Sequence, residues 1–301
     1  GPQGVLYSKK TDQPYQMPKP NFEEKLGEKT LKFFADRKIS PQTLARNRIA
    51  QELMFCSATK RMDISMAFPY IRDGEIVNIK YRGPYKSFRQ CKGAEKILYG
   101  LDDIRDQSWI IIVEGECDKL ALEEAGYTNV VSVPDGAPVK VKAGPLPDHE
   151  QDTKYQYLWN CREYLDGLSK IVIATDADAP GQALAEELSR RLGKERCWKV
   201  VWPQSAKDLP GMRYSVFAEE DYADAQGSEP SSSQDPQRPA DGCFRKDANH
   251  VLIEDGKEVL ASLIEAAEPY PIRGLFKFSD FLDEIDNFYE LGNIVEVGAS
   301  T

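Results

Sequence analysis

The chain has 301 residues, 41% hydrophobic and 29% charged, enough for one large domain or two smaller ones around a real core. Its net charge of −10 means that a nucleic-acid partner would have to be met by a local basic face, because phosphate binding rests on Lys and Arg. No apolar run approaches the length of a membrane span, and no membrane partner is expected. Six scattered cysteines with no C-x-x-C pair exclude a zinc ribbon and fit a reducing compartment, while His149 and His250 lack ligand-like spacing, so carboxylates remain as the chemistry-bearing groups.

The chain begins Gly1-Pro2, which reads as a processed or engineered end, so a targeting peptide cannot be read from it. Residues 1–20 are polar, carry Pro14, Pro18 and Pro20, and are expected to lack fixed structure. Leu26, Leu31, Phe33 and Phe34 suggest an amphipathic helix, and Ser40-Pro41 reads as the cap and first position of another. Residues 66–80 alternate around Asp73-Gly74, a β-hairpin signature. The second strand runs on into Lys80, Arg82, Lys86, Arg89, Lys92 and Lys96, interleaved with Tyr81, Tyr85 and Phe88. Such a run is usually a solvated face. In an acidic chain, and leading straight into the strand at Trp109, it instead suits a single-stranded template or a nucleoside triphosphate.

Two stretches then deliver carboxylates from strand ends. Trp109-Ile110-Ile111-Ile112-Val113 runs into Glu114-Gly115-Glu116-Cys117-Asp118, and Lys170-Ile171-Val172-Ile173-Ala174-Thr175 into Asp176-Ala177-Asp178-Ala179-Pro180-Gly181. Continuous β-branched runs read as strands buried on both faces, as in parallel sheets covered by helices. Gly115 and Gly181 are expected to allow tight turns before the helical patterns that follow. In an open parallel sheet, ligands gather beyond the carboxyl ends of the strands, so these acids are expected to share one crevice. Acids so close call for a divalent cation, and Mg²⁺ takes oxygen ligands and is often shared with substrate phosphates. The plainer reading is that each acid caps the helix after it.

Between these strands, residues 130–133 form a short strand ending in a turn at Pro134-Asp135-Gly136, and one helix is expected through Tyr155, Leu158, Trp159, Tyr164 and Leu165. Residues 197–203 supply a fourth strand. From about 211 to 242 the chain is rich in Ser, Asp, Glu, Gln and Pro and reads as a disordered insertion. Lys246-Asp247-Ala248-Asn249 follows, then a helix over 258–267 and an amphipathic stretch over 278–289.

Glu114-Gly115-Glu116-Cys117-Asp118 followed by Asp176-Ala177-Asp178-Ala179-Pro180-Gly181 resembles the TOPRIM domain of primases, topoisomerases and some nucleases. Lys246-Asp247-Ala248-Asn249 resembles the third acidic motif of phage-type primase-helicases and the Twinkle-like organellar proteins, closest to plant forms. The resemblance implies an α/β fold, a Rossmann-like parallel sheet flanked by helices and preceded by a smaller basic α+β subdomain. The domains would be residues 1–20, 21–108, 109–270 and a linker helix over 271–301 towards a helicase domain. It implies RNA primer synthesis on single-stranded DNA from nucleoside triphosphates, with Mg²⁺, or Mn²⁺ in its place, on Asp176, Asp178, Asp247 and Glu114. Glu114 would be either the general base or another metal ligand. Lys80, Arg82, Lys86, Arg89, Lys92 and Lys96 would bind nucleotide and template. Neighbouring subunits of a helicase ring are implied as partners, and mitochondrion or plastid as location. Rival readings are a silent single-stranded DNA-binding module of a Twinkle-type helicase, or a TOPRIM nuclease or topoisomerase. Asp208, preceded by Lys207, is the alternative third acid.

Overall fold

The computed structural model describes residues 14–56, 59–203 and 246–272. The chain opens with two short helices, α1 (Glu28–Ala35) and α2 (Pro41–Arg46). Ser40 caps α2 by accepting from the Thr43 N–H, with Pro41 in the first turn. Four antiparallel strands follow in sequence order, β1 (Ala50–Cys56), β2 (Arg61–Arg72), β3 (Glu75–Gly83) and β4 (Ser87–Gln90). Asp73 and Gly74, both at positive φ, make the tight turn between β2 and β3 that the Asp-Gly pair predicts.

The second sheet holds β5 (Trp109–Val113), β6 (Val130–Ser132), β7 (Lys170–Ala174), β8 (Cys197–Lys199) and β9 (Glu268–Pro269), in the order β6-β5-β7-β8-β9. All pairings are parallel except β8 with β9. Around it lie α3 (Glu116–Glu124), α4 (Gln156–Asn160), α5 (Arg162–Leu165), α6 (Ala179–Leu192), α7 (Ala248–Glu254) and α8 (Lys257–Glu265). The apolar runs of β5 and β7 are buried on both sides because alternate residues enter different cores. Ile110, Ile112, Ile171 and Ile173 pack into one core, with Leu184 and Leu188 of α6. Ile111, Val113, Val172 and Ala174 pack into the other, with Val251 of α7 and Leu260 of α8. Burying each of the Ile, Val and Leu side chains here stabilises by about 1.5–3 kcal/mol, which is why the strands tolerate no polar interruption.

The antiparallel part shares the first core, to which it contributes Phe34, Phe68 and Tyr70. A polar network fixes the same junction. The fully buried Lys119 of α3 donates to Asp103 at 2.7 Å and pairs with Glu123 and Asn47, and Ser40 donates to Glu124 at 2.8 Å. The basic strand β3 joins the same junction through Val77, which enters the shared core, and Lys80, which pairs with Glu116 at 2.8 Å.

Several expectations need correction. The helix expected across Tyr155 to Leu165 is two short ones, α4 and α5, meeting at the buried Cys161. The fourth strand ends at Lys199 rather than Pro203. In the segment expected to lack fixed structure, the Gln16 N–H donates to the Gly93 carbonyl at 2.9 Å. The insertion, Asp208 and the amphipathic stretch over 278–289 lie outside the described residues.

Candidate active site

Val113 and Ala174 are register partners at the ends of β5 and β7, so Glu114 leaves the sheet beside Thr175, with Asp176 one residue further on and near enough to act on Glu114 by its charge. Asp178 ends the same turn as the cap of α6, its Oδ1 accepting from the Gly181 N–H at 3.0 Å. Asp247 arrives from far along the chain as the cap of α7, its Oδ1 accepting from the His250 N–H at 2.7 Å. The two turns are stitched together by the Ala177 N–H donating to the Lys246 carbonyl at 2.8 Å. Capping and clustering are thus compatible: the cap fixes one oxygen of each aspartate and leaves the other available to the crevice.

The glycines act by closeness and not by permitting unusual turns. Gly115 has φ −119°, open to any residue. A Cβ at Gly181 would lie 2.2 Å from the Asp176 carbonyl oxygen, so α6 can approach the acidic turn only with glycine there.

Burial, followed by the charges of Asp176 and Asp178, pushes the Glu114 carboxyl up to about 7, and its Oε2 is buried without a hydrogen-bond partner. Burial and then Asp247 push Asp176 up to about 6. Asp118, on the first turn of α3, is raised well above the carboxylate range by burial and by Asp247, and its protonated form can donate to Asp247. Its Oδ1 accepts from the Asn249 N–H at 3.1 Å. Opposing this repulsion, the Lys246 ammonium sits 2.9 Å from Asp176 Oδ2 and 3.0 Å from Asp178 Oδ2. Burial lowers the Lys246 pKa, but the hydrogen bonds and charges of those two aspartates raise it further, so it stays cationic.

A crevice of about 650 Å³ is lined by Glu114, Asp118 and Asp247 together with Lys80, Arg82, Arg89 and Lys96 of the basic run, whereas Asp176 and Asp178 are not among its lining residues. The expected basic residues are not equivalent. Lys80 is mostly buried and pairs with Glu116 at 2.8 Å, and Lys96 pairs with Asp135 at 2.7 Å. Lys86 lines an adjoining groove that also takes in Arg82, whereas Lys92 is exposed and lines neither. Of the interleaved aromatics, Phe88 and Tyr85 are exposed, but Tyr81 is buried with its hydroxyl donating to Glu52, so it offers no face to a base. Glu116 is an internal anchor, accepting from the Tyr70 hydroxyl at 2.6 Å as well as pairing with Lys80.

Sequence reasoning missed Arg37 and gave no role to Asn249 of the third motif, and both line the same crevice. Arg37 stacks on Phe33 at 3.6 Å, and Arg82 approaches the same ring at 4.8 Å, so Phe33 holds two guanidinium groups at the mouth. The available signal for Arg37 was a cation four residues after an aromatic, at the point where the helical pattern ends.

The donor set suits Mg²⁺, a hard cation for carboxylate oxygens. The unpartnered buried oxygen of Glu114 and the ammonium lodged between Asp176 and Asp178 both mark a place for positive charge. Among the described residues, no three acid, His or Cys side chains stand as a ready metal ligand set.

The family model of the Toprim domain matches residues 108–200. The Twinkle homolog protein, chloroplastic/mitochondrial, of Arabidopsis thaliana is 48% identical over 271 residues, covering 89% of this chain and 32% of that protein. The Primase homolog protein of the same plant is 48% identical over 243 residues, covering 80% of this chain and 60% of that one. The chain therefore spans less than two thirds of either relative. In structure it is similar to the primase domains of bacteriophage T7 solved with an RNA/DNA hybrid and dTTP (TM-score 0.52, 19% identity, 78% of this chain and 91% of that one). The primase fragment of the T7 primase-helicase gives a TM-score of 0.50 at 17% identity, over 82% of this chain and 81% of that one. These two likenesses show the fold. The chain therefore carries a Toprim domain, set in a primase fold, and is a relative of the plant Twinkle homolog and Primase homolog proteins.

Proposed function

We propose that this chain is a primase domain that joins nucleoside triphosphates into short RNA primers on single-stranded DNA, in the replication of organellar DNA. The observation that carries this reading is the gathering of acids at the carboxyl end of a parallel sheet, with Glu114 and Asp247 lining one crevice together with Arg37, Arg82 and Arg89, and with Asp176 and Asp178 linked to that end through Lys246. A DNA-binding surface gains nothing from clustered acids, which repel phosphate. Acidic and basic groups lining one crevice suit phosphoryl transfer, where metal-bound phosphates and a backbone must be held at once.

Asp176, Asp178 and Asp247 would hold Mg²⁺, or Mn²⁺ in its place, and Glu114 would complete or adjoin that set. When bound, the metal supplies neutralisation of the charge that develops on phosphate oxygens. Glu114, up at about 7, is suited to take the proton from an attacking 3′-hydroxyl near neutral pH, the condition under which a general base is most effective. Arg37, Arg82 and Arg89 would bind phosphates of the template and the incoming triphosphate, with Lys86 extending the basic face along the adjoining groove. The organellar reading draws on the chloroplastic/mitochondrial name of one relative, and a role beside a helicase on the primase-helicase from which the similar phage fragment comes.

The rival, a silent single-stranded DNA-binding module, draws on one observation: Lys246 occupies the place between Asp176 and Asp178. Incubating the chain with single-stranded DNA, triphosphates and Mg²⁺ separates the two. The primase reading expects metal-dependent dinucleotides. DNA binding without dinucleotides, both alone and within the longest natural chain that contains it, would install the rival.

A further inference from the structure

We infer that Lys246 is a resident counter-ion of the acidic crevice, a positioning residue that a divalent metal must displace and that thereby sets how tightly the crevice takes metal. The inference deepens the metal-dependent reading above and rests on it. Three features of the geometry support it. First, the ammonium contacts Oδ2 of both aspartates, while Oδ1 of Asp178 is committed to the Gly181 N–H. The oxygen that Asp178 could offer a metal is the one that Lys246 holds. Second, the Lys246 main chain is pinned on both sides, its carbonyl accepting from the Ala177 N–H at 2.8 Å and its N–H donating to His250 Nδ1 at 3.3 Å. Only the side chain can move, so its release leaves Asp247 next door in place. Third, that side chain is 42% exposed, so the ammonium can swing into water without burying its charge. A lysine carries one compact charge on a flexible stem, which neutralises the metal-free cluster incompletely and can yield to a divalent ion.

The test is calorimetric titration of the whole chain with Mg²⁺, without nucleotide or DNA, alongside melting curves in chelator. Lys246→Met is expected to bind Mg²⁺ about three- to tenfold more tightly than the wild type, the scale of losing two partly exposed charge pairs from the competition. In chelator it should melt at a lower temperature, and saturating Mg²⁺ should close that gap. Lys246→Arg, whose planar fork can grip both carboxylates, is expected to bind Mg²⁺ more weakly than the wild type, so the order of affinities is Met, Lys, Arg. If Lys246→Met is unfolded in chelator, Lys246→Gln and Lys246→Arg provide the same ordering. Equal affinities, or weaker binding in Lys246→Met or Lys246→Gln, would overturn the competition while leaving the metal reading standing. Absence of Mg²⁺ binding in every variant and the wild type would overturn both.

Discussion

Each of the key carboxylates has one physical constraint fixing it and another making it reactive. Asp178 gives one oxygen to the first turn of α6 and the other to Lys246, so helix capping orients the group that the crevice uses. Glu114 has no such tether on Oε2, and burial beside two aspartates favours its protonated form. The sign of the resulting pH dependence is opposite to that of a salt-bridged acid. Its folded pKa, about 7, is raised above the ordinary 4.5, so the folded state holds a proton that the unfolded chain releases. The stability it contributes is full below about pH 4.5 and is lost as pH rises through 7. Asp176, raised in the same direction to about 6, adds to this trend. In chelator, wild-type stability should therefore fall between pH 5 and 7.5, and Glu114→Gln should remove about 1–2 kcal/mol of that fall, allowing for partial exposure. Melting curves across that range check this, and an unchanged slope in the variant would show that Glu114 does not titrate there.

At the scale of the elements, β5 and β7 were legible because a strand buried on both faces must be apolar throughout, and their acidic ends were legible because the pattern breaks so sharply. The helices α4 and α5 were not separable, since the break at Cys161 is made by packing and carries no Gly or Pro. Strand β9 was invisible: Glu268–Pro269 is too short for a pattern and exists through pairing with β8. The Lys246 clamp is likewise a product of convergence, since a lysine beside an acid says nothing about acids nearly seventy positions earlier. Helix α7 tests the choice of third carboxylate. Asp247→Ala should cost about 1 kcal/mol for the lost cap and weaken Mg²⁺ binding as well. Asp208→Ala should leave Mg²⁺ binding near wild type, and the reverse pattern in a titration would identify Asp208 as the ligand.

For the molecule as a whole, a net charge of −10 coexists with a basic wall because the antiparallel sheet shares its core with the parallel one and is locked to it by buried polar contacts. The basic run was legible as a unit, but its members were not, because ion pairing is set by what the fold brings opposite. Lys80 and Lys96 answer Glu116 and Asp135, which leaves Arg82 and Arg89 as the members of that run most available to phosphate within the crevice. Replacing both with Ala should flatten the dependence of single-stranded DNA affinity on salt by a log–log slope of about 1.4, whereas Lys92→Ala should leave it unchanged. Lys80→Ala should instead destabilise the fold, because Glu116 loses its charge partner in a buried setting. Equal slopes in all these variants would return the run to a solvated face. The most direct test of the central claim, that the clustered acids serve synthesis and the basic run binding, is to measure dinucleotide formation and single-stranded DNA affinity side by side in the wild type and in Asp178→Ala. The account predicts that synthesis is abolished while DNA affinity is unchanged or slightly stronger, since one repelling carboxylate has gone. Full synthesis in Asp178→Ala, or loss of DNA binding in step with activity, would contradict it.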